Sequence, residues 1–355
     1  MEPYQIAFFG ATNSGKSTLV NAIAGQSVSL VSDRPGTTTD PVRKRIELPG
    51  LGPCVLVDTA GYGDKGELGA QRERLSRSVI DSTDLAVLIR SGNGADDEWE
   101  NLLKKAGVDI VTVEQGTDKD SVLQLISHCI KREQNPFLTG SLVKKGDVVV
   151  LVMPQDSEAP KGRLILPQVQ VLRELLDRDC IPVCCTPEML PHALKSLAAI
   201  PDLVITDSQV FKQVASVIPQ NYPLTSFSIL LAAAKGDIRT FVAGTKAIDS
   251  LRTGSRVLIA EACSHVPDTE DIGRVKIPAL LSRRIEGLQV DIAAGNDFPE
   301  DLTPYSLIIH CGACVASSRL VKSRIKKALL AGVPVSNYGV VIAYLQGLLE
   351  RVSLP

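Results

Sequence analysis

The sequence predicts an α/β protein of three consecutive units, each built on a mostly parallel sheet. Three observations predict it. An apolar run at residues 6–9 leads into GATNSGKS (10–17) and then a helical stretch, the strand–loop–helix context of a phosphate-binding loop. After residue 146, strand-like and helix-like stretches alternate, which is the rhythm of a doubly wound parallel sheet. The 355 residues suffice for two or three domains of roughly 100–200 residues each. The expected boundaries are 1–133, a linker at 134–145, then 146–250 and 251–355. The stretch REQNPFLTGSLVKKGD (132–147) is polar and carries Pro and Gly, which suits a linker.

Composition narrows the function classes. With 44% hydrophobic and 22% charged residues, the chain is ordinary for a globular protein. A net charge of -2 and 4% aromatics argue against a basic nucleic-acid footprint or a base-stacking platform, so no nucleic acid is expected as partner. No apolar run approaches the ~18 residues of a membrane span; the longest are VVVLVM (148–153) and ILLAAA (229–234). MEPYQIAFFG at the N-terminus lacks the basic region of a signal peptide, so the expected location is the cytoplasm. The eight cysteines, at positions 54, 129, 180, 184, 185, 263, 311 and 314, are then expected to be reduced, and paired ones read as metal ligands or redox groups.

In the first unit, GATNSGKS fits G-x-x-x-x-G-K-[ST]. Glycines let the backbone turn successive N–H groups toward a phosphate, and the following helix adds its positive end. Gly10, Asn13, Ser14, Gly15, Lys16, Ser17 and Thr18 are the candidate nucleotide-binding residues, with Lys16 on the β- and γ-phosphates and Ser17 on Mg²⁺. CVLVDTAGYGD (54–64) is an apolar strand ending in Asp58-Thr59-Ala60-Gly61. Asp58 is placed to act on Mg²⁺ through water, and Gly61 to offer its N–H to a γ-phosphate. RPGTTTDP (34–41) between them is a polar loop whose Thr37 and Thr38 are switch candidates, with Thr38 adding a hydroxyl to the metal when a γ-phosphate is bound. Lys16, Asp58 and Gly61 are the candidate catalytic residues.

DTAG, with GTT in the loop, resembles the translation-factor class of GTPases, which implies GTP and Mg²⁺. Asn13 resembles the branch of that class that places a potassium ion beside the phosphates; the bland alternative is that it shapes the loop. One departure stands out. Such GTPases read guanine with an N-K-x-D segment, and TDKD (117–120) does not match it. The unit also looks short by one strand–helix pair. Weak or relaxed base selectivity is therefore expected.

In the second unit, GDVVVLVMP (146–154), IPVCC (181–185) and PDLVITD (201–207) read as strands. LPQVQVLRELLDRD (166–179) and SQVFKQVASVIP (208–219) read as helices. Cys184 and Cys185 alternate across a strand, so one is expected to face the core, and both read as packing residues. SILLAAAKGDIRTFVAGTKAIDSL (228–251) reads as one helical segment leading to the third unit. There, GSRVLIAEACSHVP (254–267) is a strand followed at once by Cys263 and His265. YSLIIHCGAC (305–314) is a strand followed by His310, Cys311 and Cys314. Loops after parallel strands converge on one crevice. The fold thus brings three cysteines together, and a zinc site, a redox pair and an iron–sulfur cluster on three thiolates all compete.

The chain then resembles the HydF family of [FeFe]-hydrogenase maturation GTPases over nearly its whole length. The residues that carry the resemblance are SDRPGTTTDPV (32–42), DTAGYGDKGELG (58–69), APKGRLILPQVQ (159–170), EACSHVPDTEDIGRVKIP (261–278), HCGAC (310–314) and GVPVSNYGVVIAYLQG (332–347). The resemblance implies a [4Fe–4S] cluster on Cys263, Cys311 and Cys314. It leaves Glu270, His265 or His310 as fourth ligand; Glu270 keeps the family's spacing from the first cysteine, and Val266 replaces a second histidine found in many members. It further implies a homodimer made by the second unit and a cluster-binding third unit. The function implied is a scaffold that carries a two-iron precursor, made with radical-SAM maturases, to the apo-[FeFe]-hydrogenase. The rival readings are a tRNA- or ribosome-associated GTPase with a structural zinc site, and a scaffold whose nucleotide site has degenerated.

Overall fold

The computed structural model describes residues 3–25, 41–49, 51–63, 66–92, 94–130, 137–155, 162, 164–262, 271–295 and 297–355. Its chain divides into two compact units, 1–135 and 136–355.

The first unit runs β1 (Tyr4–Gly10), α1 (Lys16–Ala24), β2 (Val42–Leu48), β3 (Gly52–Asp58), α2 (Glu67–Ile80), β4 (Leu85–Arg90), α3 (Gly94–Lys105), β5 (Asp109–Glu114) and α4 (Lys119–Cys129). The sheet order is β2-β3-β1-β4-β5, and only β2 is antiparallel. The three inner strands β1, β3 and β4 read as near-continuous apolar runs because helices cover both faces. Ile6, Phe8, Leu56 and Val87 point to one core, and Ala7, Phe9, Val57 and Leu88 to the other. Among the described residues the sheet ends at β5, one strand–helix pair short of the expected domain type.

The second unit holds two modules of one design. The first is β6 (Val148–Val152), α5 (Leu166–Asp177), β7 (Ile181–Cys185), α6 (Leu190–Ser196), β8 (Leu203–Thr206), α7 (Phe211–Val217), β9 (Leu224–Ser226) and α8 (Phe227–Lys235). After α9 (Ile238–Gly244), the second is β10 (Arg256–Glu261), α10 (Ile277–Ser282), β11 (Gln289–Ala294), β12 (Leu307–His310), α11 (Ser318–Leu330), β13 (Val335–Asn337) and α12 (Tyr338–Leu345). Both sheets are wholly parallel, ordered β7-β6-β8-β9 and β11-β10-β12-β13. In each, the fourth strand is three residues long and passes straight into an apolar helix, capped by Ser226 in one case and Asn337 in the other. The sequences match there too: PLTSFSILLA (223–232) against PVSNYGVVIA (334–343). This is an internal repeat. Its signal is short and apolar, and it escapes a search guided by strand and helix periodicity alone.

Two expectations are corrected. The helical segment 228–251 is broken at Gly236, the C-cap of α8, and Asp237 starts α9 by accepting from the Arg239 N–H at 3.0 Å. Cys184 is exposed and is not a packing residue, because β7 is the edge of its sheet; Cys185 is half-buried and packs against the core formed by Val150, Val152 and Val204, as the alternation predicts. Ile181 on the same strand is 55% exposed. The opposite edge is covered, since Leu224 of β9 pairs with Val352.

The α8 helix is shared between the modules. Phe227 and Leu230 lie in the core with β6 and β8, while Ile229 and Ala232 lie in the core with β10 and β12. The second module closes on α9 at Gly244, where an added Cβ would clash with the carbonyl oxygen of Val335. Alanine there gains up to about 1 kcal/mol of helix propensity, but overpacking against backbone costs about 1–3 kcal/mol or more, so the loss wins. Gly244→Ala should lower the urea midpoint of the full chain by that net amount, and an unchanged midpoint would show that β13 yields freely.

Candidate functional site

Two sites form at strand C-termini. The first lies between β1 and β3, which pair with Phe8 opposite Asp58. The loop after β1 turns through Asn13 (φ 64) and Gly15 (φ 88), and α1 begins at Lys16. Asparagine tolerates the left-handed region because its short polar side chain bonds locally. The buried Lys16 ammonium donates to the carbonyls of Gly10 at 3.0 Å and Ala11 at 2.7 Å. Ser14 is buried in the loop, while Ser17 and Thr18 are exposed on the first turn of α1. The Gly61 segment lies against this loop: its φ is +82, and a Cβ there would meet Lys16 Nζ at 2.9 Å and the Thr12 backbone at 3.2 Å. Only glycine combines that conformation with that approach.

Asp58 is mostly buried. Burial raises its pKa, and the hydrogen bond with Ser17 and the charges of Lys16 and Lys44 act the other way. Its Oδ1 and the Thr12 hydroxyl are buried and have no hydrogen-bond partner within the chain. A buried carboxylate oxygen without a donor is costly, and beside a serine hydroxyl at a helix start it fits Mg²⁺ ligation, directly or through water. Thr37 and Thr38 lie outside the described residues.

The structure adds three residues that no motif marks. Tyr62, directly after Gly61, donates its hydroxyl to Asp96 at 2.7 Å and stacks on Trp99 with centroids 4.9 Å apart. Asp96 also accepts from the amides of Ser91 and Gly92 at 2.9 and 3.0 Å. The chain behind Gly61 is thereby anchored to α3. A buried tyrosine needs such an acceptor, and nothing in the local sequence says where it comes from.

TDKD (117–120) spans the end of the loop after β5 and the start of α4. The Gln115 amide reaches the Asn13 carbonyl at 3.4 Å. The Thr117 hydroxyl donates to the Glu114 carbonyl at 2.7 Å. Asp118 is the N-cap of α4: its carboxylate accepts from the amides of Asp120 and Ser121, both at 3.0 Å, and from the Ser121 hydroxyl at 2.7 Å. The Ser121 hydroxyl and amide bonds hold its pKa below the usual carboxylate range. This acid is committed to the helix start.

The second site lies after β10 and β12, paired with Ala260 opposite His310. The Cys311 sulfur accepts from the amides of Ala262 at 3.1 Å and Ala313 at 3.4 Å. Two amide donors on one sulfur suit a thiolate or a cluster ligand. Ala262 immediately precedes Cys263 in the chain. Cys263, His265 and Glu270 themselves lie outside the described residues, among which no group of three metal-ligating side chains forms. Cys311 and Cys314 are both half-buried in the loop.

His310 is fully buried with both ring nitrogens engaged. Nδ1–H donates to the Cys311 carbonyl at 2.9 Å, and Nε2 accepts from Arg324 at 3.3 Å. Burial, with the Arg324 charge beside it, pushes its pKa down to about 4, so the ring is neutral and of one tautomer. Arg324 also donates to the carbonyls of Glu261 at 3.1 Å and Gly295 at 2.5 Å. The candidate ligand His310 thus faces the interior rather than the loop thiols. The matching edge of the first module has a polar crevice of about 530 Å³ lined by Pro154, Gln155, Thr186, Glu188 and Gln209 among others, with no cysteine.

Comparison with known proteins agrees with this division. Residues 138–236 match the hydrogen maturase F dimerization domain and residues 239–355 the hydrogen maturase F tetramerization domain. Residues 5–122 match the 50S ribosome-binding GTPase model. The tRNA modification GTPase MnmE of Methylobacterium radiotolerans is 45% identical over 95 residues, 26% of this chain and 21% of that protein. GTPase Der of Kosmotoga olearia is 34% identical over 123 residues, 32% of this chain and 28% of that protein. The chain therefore spans well under a third of the length of these relatives. A structure of the FeoB G-domain from Methanococcus jannaschii covers 37% of this chain at 21% identity, all of that domain and a TM-score of 0.24, too slight to bear on fold or function. Among the described residues no helix is long and apolar enough to cross a membrane.

The cap assignment has a measurable consequence. Asp118→Ala should cost about 1 kcal/mol of stability, the usual loss of an N-cap, and leave the ratio of GTP to ATP affinity unchanged. A selective loss of GTP affinity would make Asp118 a base reader.

Proposed function

The chain belongs to the hydrogen maturase F family, and on that premise we propose that it is a scaffold and carrier for [FeFe]-hydrogenase maturation with a GTPase module. The observation that carries the reading is the contact of the Ala262 amide with the Cys311 sulfur, which ties the start of the Cys263 segment to the C-x-x-C loop. Cys263, Cys311 and Cys314 would hold a [4Fe–4S] cluster. Glu270 and His265 are the favoured fourth ligands, since both nitrogens of His310 have partners. Three thiolates anchor firmly while an oxygen or nitrogen ligand exchanges, which leaves one corner for cargo, a two-iron precursor bound for the apo-hydrogenase. The precursor comes from radical-SAM maturases, and the scaffold acts in the cytoplasm. Dimerisation uses the first module, whose open edge at β7 exposes Ile181.

In the nucleotide module, Lys16 neutralises phosphate charge, and Ser17, Thr38 and Asp58 hold Mg²⁺. Gly61 presents its N–H to the γ-phosphate, and Asn13 holds potassium beside it. Thr37 and Thr38 close with the triphosphate and signal its presence to partners. Hydrolysis is slow, and base selectivity is relaxed because the acid after β5 caps α4.

Two measurements test these assignments. Lys16→Ala should abolish single-turnover hydrolysis; a wild-type rate would remove the P-loop from catalysis. Calorimetry should give GTP and ATP affinities of similar order, and sub-micromolar, strictly guanine-selective binding would refute relaxed selectivity. For the cluster, anaerobic reconstitution should give iron, sulfide and an EPR signal after reduction, all lost in Cys311→Ser and Cys314→Ser. The spectrum should change in Glu270→Ala more than in His310→Ala. A protein that takes only zinc would favour the ribosome- or tRNA-associated reading.

A further inference from the structure

Lys235 is a buried cation that the chemistry above leaves unassigned. It ends α8 and is 4% exposed. Its ammonium donates to three main-chain carbonyls, those of Ala313 at 2.5 Å, Ala316 at 2.8 Å and Cys314 at 3.1 Å. Three acceptors match the three N–H groups of an ammonium. Burying that charge is expensive unless its donors are met, so the lysine and the loop need each other. Ala313, at the centre of the C-x-x-C loop, has φ 50, a conformation that a residue with a Cβ keeps only when its surroundings over-determine it. The same turn places the Ala313 amide on the Cys311 sulfur. The lysine comes from the other module, on the helix whose opposite face lies in the first module's core. In the repeat, the matching position at the end of α12 is Gln346.

We propose that Lys235 is a positioning residue for the cluster site: its three bonds hold the loop in the form in which Cys311 receives two amide donors, and its charge behind the loop favours the reduced, more negative cluster. This rests on the assignment of the cluster to Cys263, Cys311 and Cys314. Partners of this kind, one step removed from a metal, typically cost about 10–100-fold in metal affinity when removed.

The test is anaerobic reconstitution of the full chain as wild type, Lys235→Met and Lys235→Gln. Iron and sulfide content, the rate of iron release to a chelator, and the midpoint potential by EPR titration are read together. Lys235→Met should release iron about 10-fold faster or more, with a more negative potential. Lys235→Gln, neutral but still a donor, should show the same sign of potential shift and a smaller gain in release rate. Wild-type release and potential in both variants would overturn the proposal. A wild-type protein that forms no cluster would overturn the cluster assignment instead. Circular dichroism and size-exclusion chromatography establish folding, and if Lys235→Met misfolds, the Lys235→Gln comparison decides.

Discussion

Parallel pairing in register puts Phe8 opposite Asp58 and Ala260 opposite His310, and both sites depend on that constraint. Strands that run the same way end at the same edge, so the loops that follow them meet there. In the first unit this sets the phosphate loop against Gly61. In the last module it sets the Ala262 amide on the Cys311 sulfur. A slip of one residue would turn every strand side chain to the other face and separate each pair of loops.

A second theme is the use of buried cations as loop clamps. Lys16 closes on the carbonyls of Gly10 and Ala11, Lys235 on those of Ala313, Cys314 and Ala316, and Arg324 on those of Glu261 and Gly295. Charge-assisted bonds are roughly twice as strong as neutral ones, and a buried charge left unmatched is far more costly than either. Each clamp therefore permits few alternatives, which suits loops that must keep one backbone form at a strand end. Arg324 also bears on His310. Burial, with the guanidinium beside it, keeps the imidazole neutral, and the ring becomes a strut between strand end and interior.

Much of this was legible in the sequence. GATNSGKS and DTAG mark the first site because each carries its mechanism in a few adjacent residues, and the two cysteine segments mark the strand ends at which the second is proposed. The missing base-reading segment was legible as well, since TDKD fails the pattern. What spacing hid was the use of Asp118, whose helix-capping role is satisfied by residues two and three positions on. Cys184 misled for another reason. Alternation along a strand shows two faces, but only the neighbours of the strand decide whether either is covered, and β7 is an edge.

The sequence by itself determined the three α/β units and the phosphate loop, and it singled out the thiols, histidines and carboxylate from which a metal site is proposed. Those follow from local chemistry: glycines that turn, apolar runs that bury, and side chains whose type can ligate. Tertiary structure alone decided that His310 looks inward, that Tyr62 leans on Asp96 and Trp99, and that Lys235 braces a loop 78 residues away. Such contacts join residues remote in the chain through hydrogen bonds that leave no periodicity, and no pattern along one strand of text encodes the partner across a sheet or a helix.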